Sequence, residues 1–261
     1  MSKEITNKSL KRFNLTMGIL HFMQGMLMLF FALSIDKIKS FTVPVWSNYL
    51  SFDINTKTLL TDPHKLFDVP FAICVALFLF LSALAHFIIV SPKANDIYND
   101  GISKGINIFR WFEYALSSSI MIVLIALLFG VYDIGALIAI FLLNASMNLF
   151  GLQMEKINKY TKKTDWSSFV FGVIAGIGPW IVIVLYALGN SNPADVPWFV
   201  YAILVSYFIF FNLFPVNMLL QYKKVGKWKD YIYGEKVYIT LSLVAKSVLA
   251  WLVFFGVMQP K

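Results

Sequence analysis

The chain has few cysteines, histidines and acidic residues. Its 261 residues include one cysteine, three histidines and 14 aspartates and glutamates. The single cysteine, Cys74, excludes an intramolecular disulfide framework and a zinc site built on cysteine pairs. Its position within an apolar run is typical of a buried structural thiol. Charged residues make up only 14% of the chain, which excludes an ordinary water-soluble domain of this length.

Apolar residues dominate instead, at 59% of the chain, with a mean hydropathy of +0.71. Repeated apolar runs of about 20 residues have the length that a helix needs to cross a bilayer. The polar, basic start MSKEITNKSLKRF precedes a run too long for a signal-peptide core, so no cleaved leader is expected. The net charge of +8 fits loop lysines that set membrane topology, and no nucleic-acid partner is expected.

Charge clusters and proline- or glycine-rich stretches divide the chain into seven apolar segments. One long loop and five short ones join them, which favours a single all-α membrane domain with neighbouring antiparallel helices. The predicted spans are approximately 9–34, 68–90, 105–129, 134–154, 166–188, 197–221 and 235–257.

Lysine and arginine are distributed unevenly between the two ends of these spans, and the excess predicts a cytoplasmic N-terminus and an extracellular C-terminus. Two basic residues, Arg110 and Lys246, lie inside spans. Fifteen lie on the N-terminal side: Lys3, Lys8, Lys11, Arg12, Lys93, Lys104, Lys156, Lys159, Lys162, Lys163, Lys223, Lys224, Lys227, Lys229 and Lys236. Five lie on the other side: Lys37, Lys39, Lys57, Lys65 and Lys261.

The long first loop contains TVPVW and YLSFDINTKTLL, with partial alternation of polar and apolar residues. The pattern predicts a short external β-hairpin with a turn at Asp-Ile-Asn-Thr; an irregular loop on the membrane surface is the alternative. The edge of such a hairpin is open to pairing with a second copy of the chain, so we expect a homodimer.

Glu113 is the acidic residue that falls deep inside a span, and it requires a partner. A charge at a helix centre costs about 2.5–3.5 kcal/mol even on insertion scales. Glu113 and Lys246 lie nine and eleven residues into spans that leave the same side, roughly 13–17 Å deep. They are therefore predicted to meet, either as a structural ion pair or as a functional amine and carboxylate.

Other polar residues are expected at the same depth. Ser242 lies one helical turn before Lys246, and Ser117 one turn after Glu113. Ser82 and His86 share a face of the second span, and His21 and Gln24 share a face of the first. With Tyr114 and Arg110 they predict a hydrated polar cluster in the cytoplasmic half. Two histidines without further ligands predict no metal site.

The sequence Arg110-Trp-Phe-Glu113-Tyr114 on the third span and Ser242-Leu-Val-Ala-Lys246-Ser on the seventh, together with the inverted orientation, resemble the heliorhodopsin family over essentially the whole chain. Ordinary microbial rhodopsins usually carry an aspartate where this chain has Ser242. The resemblance implies a rhodopsin-like seven-helix bundle with all-trans retinal bound covalently to Lys246 as a Schiff base, and Glu113 as the counterion. It also implies dimers in which the first-loop strands contact the partner.

The resemblance further implies which residues surround the chromophore. The Schiff-base network would comprise Ser242, Ser82, Tyr114, Ser117, Trp111 and Arg110, and the polar cavity His21, His86 and Gln24. The retinal pocket would comprise Met121, Asn144, Met147, Gly151, Gly178, Pro179, Trp180, Phe211, Phe214, Pro215 and Met218. Aromatic and methionine stripes at helical spacing are also the ordinary pattern of core packing.

The predicted function is that of a light receptor, not of an enzyme or a pump. A pump needs separate proton acceptor and donor groups on opposite sides of the chromophore, but the chain has Met121-Ile-Val-Leu124 two turns beyond Glu113 and no ionisable residue in the segment from Ser247 to Phe255. The lysine-rich segment 223–229 is a candidate contact for a cytoplasmic signalling partner, or an anchor on anionic lipid. A light-gated proton channel or weak transporter, and a membrane transporter without retinal, are the alternatives.

Overall fold

A computed structural model describes residues 7–189 and 196–258. Lys3 and Lys261, which contribute to the predicted orientation, lie outside the described residues. Helices and strands follow in the order α1 Asn7–Ser34, α2 Asp36–Lys39, β1 Thr42–Asp53, β2 Thr58–Pro70, α3 Phe71–Val90, α4 Pro92–Ser103, α5 Ile108–Leu128, α6 Ile134–Asn158, α7 Ser167–Leu188, α8 Trp198–Tyr222, a 3₁₀ turn Gly226–Lys229 and α9 Tyr231–Met258.

Seven of these helices, α1, α3 and α5 to α9, are long and apolar enough to cross a membrane. Helices are suited to the bilayer because each satisfies its own backbone hydrogen bonds. Most consecutive spanning helices pack against each other, and α9 also contacts α1 and α3. The exception is α7 and α8, which contact each other least of the consecutive pairs. The predicted seven-helix bundle is confirmed.

The predicted hairpin in the first long loop is also confirmed. Strands β1 and β2 pair antiparallel from Thr42 opposite Pro70 to Asp53 opposite Thr58. In the turn, the backbone N–H of Asn55 donates to the Asp53 carboxylate at 2.8 Å, and this bond is the main cause that lowers the pKa of Asp53. At the base of the hairpin, the Trp46 N–H donates to the Tyr132 carbonyl, which fixes the hairpin over the α5–α6 connection.

At the end of the bundle where α1 begins, one helix is additional to the predicted spans and two helices are longer than predicted. The predicted short loop between the second and third spans contains the amphipathic helix α4, whose Tyr98 and Ile102 pack with Leu10 of α1. Pro92 at its first turn has a backbone suited to helix initiation. Helix α6 continues to Asn158 and α9 begins at Tyr231, each about one turn beyond the predicted bound.

Candidate functional site

Lys246 of α9 and Glu113 of α5 form a buried ion pair. The Lys246 Nζ lies 2.7 Å from Glu113 Oε1, and the two side chains are 4% and 9% exposed. Lys246 also donates to Ser242 Oγ at 2.9 Å, which its position one helical turn away makes possible. Ser82 of α3 donates to the same Glu113 oxygen at 2.6 Å. Residues of α3 and α9 thus converge on one carboxylate of α5.

A cavity of about 350 Å³ is lined by Lys246 and neighbouring residues of α9 and by residues of α5, α6, α7 and α8. Its walls are mainly aromatic and apolar. Eight of the residues predicted to form the retinal pocket line it: Met121, Met147, Gly151, Trp180, Phe211, Phe214, Pro215 and Met218. Trp111, Tyr114 and Ser242, predicted beside the Schiff base, line it as well. The ring of Tyr114 lies 5.4 Å from Lys246 Nζ.

Three residues of the predicted pocket lie outside this lining. Asn144 turns toward α5, where its amide donates to Ser118 Oγ at 2.7 Å and to Ser119 Oγ at 3.0 Å. Gly178 faces Leu143 of α6. Pro179 is buried within α7 and is likewise absent from the cavity wall.

Two glycines that sequence reasoning missed, Gly172 and Gly176, line the cavity from α7. They lie eight and four residues before Trp180, respectively, and therefore on its face of the helix. This spacing is the signal that could have identified them. A Cβ at Gly176 would overlap the Met147 sulfur, as one at Gly151 would overlap the Trp111 ring. The glycines therefore leave room for these two side chains beside the cavity.

The size and composition of the cavity fit a polyene. It has apolar and aromatic walls, and its lining includes the Lys246 amine, which is paired with a carboxylate. The lining residues Ile177 of α7 and Phe208 of α8 are about half exposed, so the cavity wall is incomplete between these two helices. Lys246 is the residue in this lining that can condense with an aldehyde, and its burial beside Glu113 suits a protonated imine.

A second cavity of about 30 Å³ lies on the other side of Glu113, toward the end where α1 begins. His86 and Ser82 line it together with Asn107, Arg110 and Glu235. His21 and Gln24, predicted to line a polar cavity, are outside this lining. His21 instead stacks on His86, with ring centroids 5.6 Å apart. Ser117 is fully buried on α5 but lines neither cavity.

Arg110, predicted in the Schiff-base network, lines the small cavity together with Glu113 and Ser242. It forms buried ion pairs with Glu155 of α6 and Glu235 of α9. Trp111 Nε1 donates to Glu155 Oε2 at 2.6 Å, and Tyr231 Oη to Glu155 Oε1 at 2.9 Å. Sequence reasoning placed both glutamates at span ends, but the longer α6 and α9 bury them to 3% and 1% exposure.

The described residues contain no group of three or more histidine, cysteine, aspartate or glutamate side chains arranged to hold a metal ion. The groups suited to chemistry are the Lys246 amine, its Glu113 carboxylate partner and the polar cluster on one side of this pair. On the other side of Lys246, the described part of the bundle buries no aspartate, glutamate, lysine, arginine or histidine.

Comparison with known families agrees with this architecture. The family model described as Heliorhodopsin matches residues 10–258, and a comparison with curated proteins finds no match. Heliorhodopsins are membrane-embedded light receptors of the microbial rhodopsin type, and membership implies a retinal chromophore. With its seven apolar helices and its two-stranded hairpin, the chain belongs to the heliorhodopsin family.

Proposed function

We propose that Lys246 binds all-trans retinal as a Schiff base, that Glu113 is its counterion, and that the protein is a light sensor. One observation carries the proposal: the Lys246 amine, which contacts the Glu113 carboxylate at 2.7 Å, lines a 350 Å³ aromatic cavity. A buried lysine in this position is costly unless it is paired or modified. A covalent ligand that fills the cavity would account for both the burial and the orientation of the Lys246 amine.

Retinal bound there would supply a light-driven isomerisation. The residues of the chain would balance the charge on the Lys246 nitrogen, hydrogen-bond to it and exclude water from the cavity. Glu113 neutralises the positive charge on the Lys246 nitrogen, and Ser82 holds the carboxylate toward it. Ser242 accepts a hydrogen bond from the same nitrogen without adding a second negative charge. Trp111 and Tyr114 bound the cavity near Lys246 and exclude water from the apolar part.

A proton released at Lys246 would be retained among His86, Glu113 and the small polar cavity. Imidazole titrates near neutral pH and is suited to hold it. The opposite half buries no aspartate, glutamate, lysine, arginine or histidine among the described residues, so transport across the bilayer lacks a relay there. The proposed role is therefore sensory or regulatory, with a long-lived charge change that alters the cytoplasmic half, and it involves no catalysed turnover of a substrate.

The absorption spectrum tests the chromophore. The full chain purified after retinal addition should have a visible band that hydroxylamine bleaches in the light. Lys246→Ala should lack the band, whereas Lys104→Ala, which removes a surface lysine paired with Asp100, should keep it. A colourless wild-type protein, or a coloured Lys246→Ala variant, would refute the proposal and favour a transporter without retinal.

A light-gated proton channel or weak transporter is the second candidate. The observation that favours it is the small cavity, whose lining includes Glu113, Arg110 and Glu235. Illuminated liposomes separate the two functions, because a channel gives a protonophore-sensitive pH change and a sensor gives none.

The orientation and the partners belong to the same proposal. The lysine excess supports a cytoplasmic N-terminus. In this orientation the hairpin would lie in the external aqueous phase, where it would contact a second copy of the chain in a homodimer. The turn Gly226–Lys229 and its flanking lysines would face the cytoplasm, where they would contact anionic lipid or a signalling partner. The whole chain is proposed to fold as one domain.

A further inference from the structure

His86 of α3 and Asn14 of α1 share a buried hydrogen bond, and the surrounding chain determines its direction. The His86 Nδ1 lies 2.8 Å from Asn14 Oδ1, and both residues are buried. An amide oxygen accepts hydrogen bonds and cannot donate them. If the oxygen of Asn14 faces the imidazole, His86 must therefore carry its proton on Nδ1.

The other neighbours of Asn14 establish which amide atom faces His86. The second amide atom lies 3.0 Å from the Leu10 carbonyl oxygen and 3.4 Å from Tyr98 Oη. A carbonyl oxygen only accepts, so this atom must be the amide nitrogen. The reversed amide would place two acceptors 3.0 Å apart in a buried site, which is unfavourable.

A second constraint acts through Tyr98, which lies on the short helix α4. Its hydroxyl donates to Glu235 Oε1 at 3.2 Å, and Glu235 is held as the ion-pair partner of Arg110. Because the Tyr98 proton is used on this carboxylate, its oxygen is available to accept from Asn14. The donors therefore run in one direction, from His86 through Asn14 and Tyr98 to Glu235.

The consequence for His86 concerns its other nitrogen. A neutral imidazole carries one N–H, so a proton on Nδ1 leaves Nε2 with a free lone pair. His86 lines the 30 Å³ cavity that Glu113 and Ser82 also line, which has room for roughly one or two waters. His21 lies outside that lining, and both of its ring nitrogens are buried without a hydrogen-bond partner.

We propose that Asn14 is a positioning residue that holds neutral His86 in the Nδ1–H tautomer and thereby makes Nε2 the nitrogen that accepts the proton released in the light. The proton leaves the Lys246–Glu113 pair, joins the Nε2 lone pair and gives an imidazolium stacked on neutral His21. It returns to the pair during recovery. The light-driven part rests on the proposed function, whereas the tautomer is a property of the protein in the dark.

Nitrogen NMR of the full chain in lipid, labelled with ¹⁵N-histidine, tests the tautomer directly. The chain has only three histidines, and His86→Gln assigns the signals of interest by their loss. In the dark wild type we expect a protonated, pyrrole-type Nδ1 and an unprotonated, pyridine-type Nε2 at His86, with or without added retinal. A dark His86 protonated on Nε2 overturns the proposal without reference to any variant.

Substitutions of Asn14 test whether this residue determines the tautomer of His86. Asn14→Leu should remove the excess of the Nδ1–H form, whereas Asn14→Asp should retain it because either form of the acid offers an oxygen to Nδ1. Asn95→Leu is the matched control, since Asn95 is a buried asparagine that donates to the Ile89 carbonyl rather than to a histidine. An unchanged tautomer in Asn14→Leu overturns the role of Asn14. If that variant does not fold, the wild-type and Asn14→Asp spectra decide.

Illumination of the retinal-loaded sample tests the acceptor. In a trapped state that has lost the visible band, we expect a second proton on His86 of the wild type and at least a several-fold smaller fraction in Asn14→Leu. A His86 that stays neutral in this state overturns its role as acceptor. A sample that never acquires a visible band refutes the proposed function instead, and leaves the dark tautomer result standing.

Discussion

The ring of Trp111 lies directly over Gly151, so that a Cβ at position 151 would overlap it. Gly151→Ala should therefore push the indole into the 350 Å³ cavity or off Glu155, to which its N–H donates. Overpacking of this kind costs about 1–3 kcal/mol. We expect a shifted visible band and slower or weaker retinal uptake, measured by titrating the unliganded protein with retinal.

Gly178→Ala is the control for this substitution. A Cβ there meets the end of the Leu143 side chain at 3.0 Å, outside the cavity lining. Its band position and retinal uptake should match the wild type. A pocket built as the sequence resemblance implies would instead make Gly178→Ala at least as disruptive as Gly151→Ala.

Glu113→Gln tests the counterion. The neutral amide cannot balance the positive charge on a protonated imine at Lys246, so the charge becomes less favourable in the dark state. We expect the visible band to move to longer wavelength and to be lost at lower pH than in the wild type. Spectra recorded across a pH series measure both changes. Wild-type behaviour in both would remove Glu113 from the counterion role.

The pairing of Glu113 with Lys246 could be predicted from the sequence, but the rotation of each helix about its own axis could not. Glu113 and Lys246 could be placed at equal depth by counting residues, because helical rise is regular. Gly178 and Pro179 were assigned to the pocket by analogy, whereas the face of α7 that carries Trp180 presents Gly172 and Gly176. Which face turns inward depends on packing with neighbouring helices, and one sequence does not define it.

The burial of Glu155 and Glu235 had no local sequence signal either. Both lie within one residue of a predicted span end, where carboxylates usually face water. Their partner Arg110 lies on a third helix, 45 and 125 residues away along the chain. Only the tertiary arrangement shows that a single arginine holds both.

Arg110→Gln should destabilise the protein more than Glu155→Gln. Loss of the arginine leaves two buried carboxylates without a cation, which typically costs about 3–5 kcal/mol. Glu155→Gln keeps the Arg110–Glu235 pair and should cost less. The midpoint of thermal unfolding in lipid nanodiscs measures the difference. Equal midpoints for the two variants would mean that the cluster does not act as an ion-paired unit.

The hairpin offers a test of the proposed dimer. Leu50 and Phe52 of β1 and Leu59 of β2 lie on one face of the ribbon, since Phe52 pairs with Leu59 and side chains alternate along a strand. They are 60–69% exposed. If this face is covered by a second copy, the double variant Leu50→Glu/Phe52→Glu should raise the dimer dissociation constant at least about tenfold.

Ser51→Glu places one of the same acidic side chains on the opposite face of β1 and is the control. Light scattering coupled to size exclusion in detergent, at several protein concentrations, measures the dimer fraction. A dimer that survives the double variant, or that Ser51→Glu disrupts equally, would place the contact elsewhere on the protein.

The single cysteine makes the proposed orientation directly measurable. In a Cys74→Ser background, Ile54→Cys places a thiol at the hairpin turn, where the side chain is 80% exposed. Lys163→Cys places one in the exposed α6–α7 connection, on the opposite side of the bundle. Because excess lysine stays in the cytoplasm, a membrane-impermeant maleimide should label the first variant on intact cells and the second only after lysis. The reverse pattern would invert the topology and place the polar cavity, with His86 and Arg110, on the extracellular side.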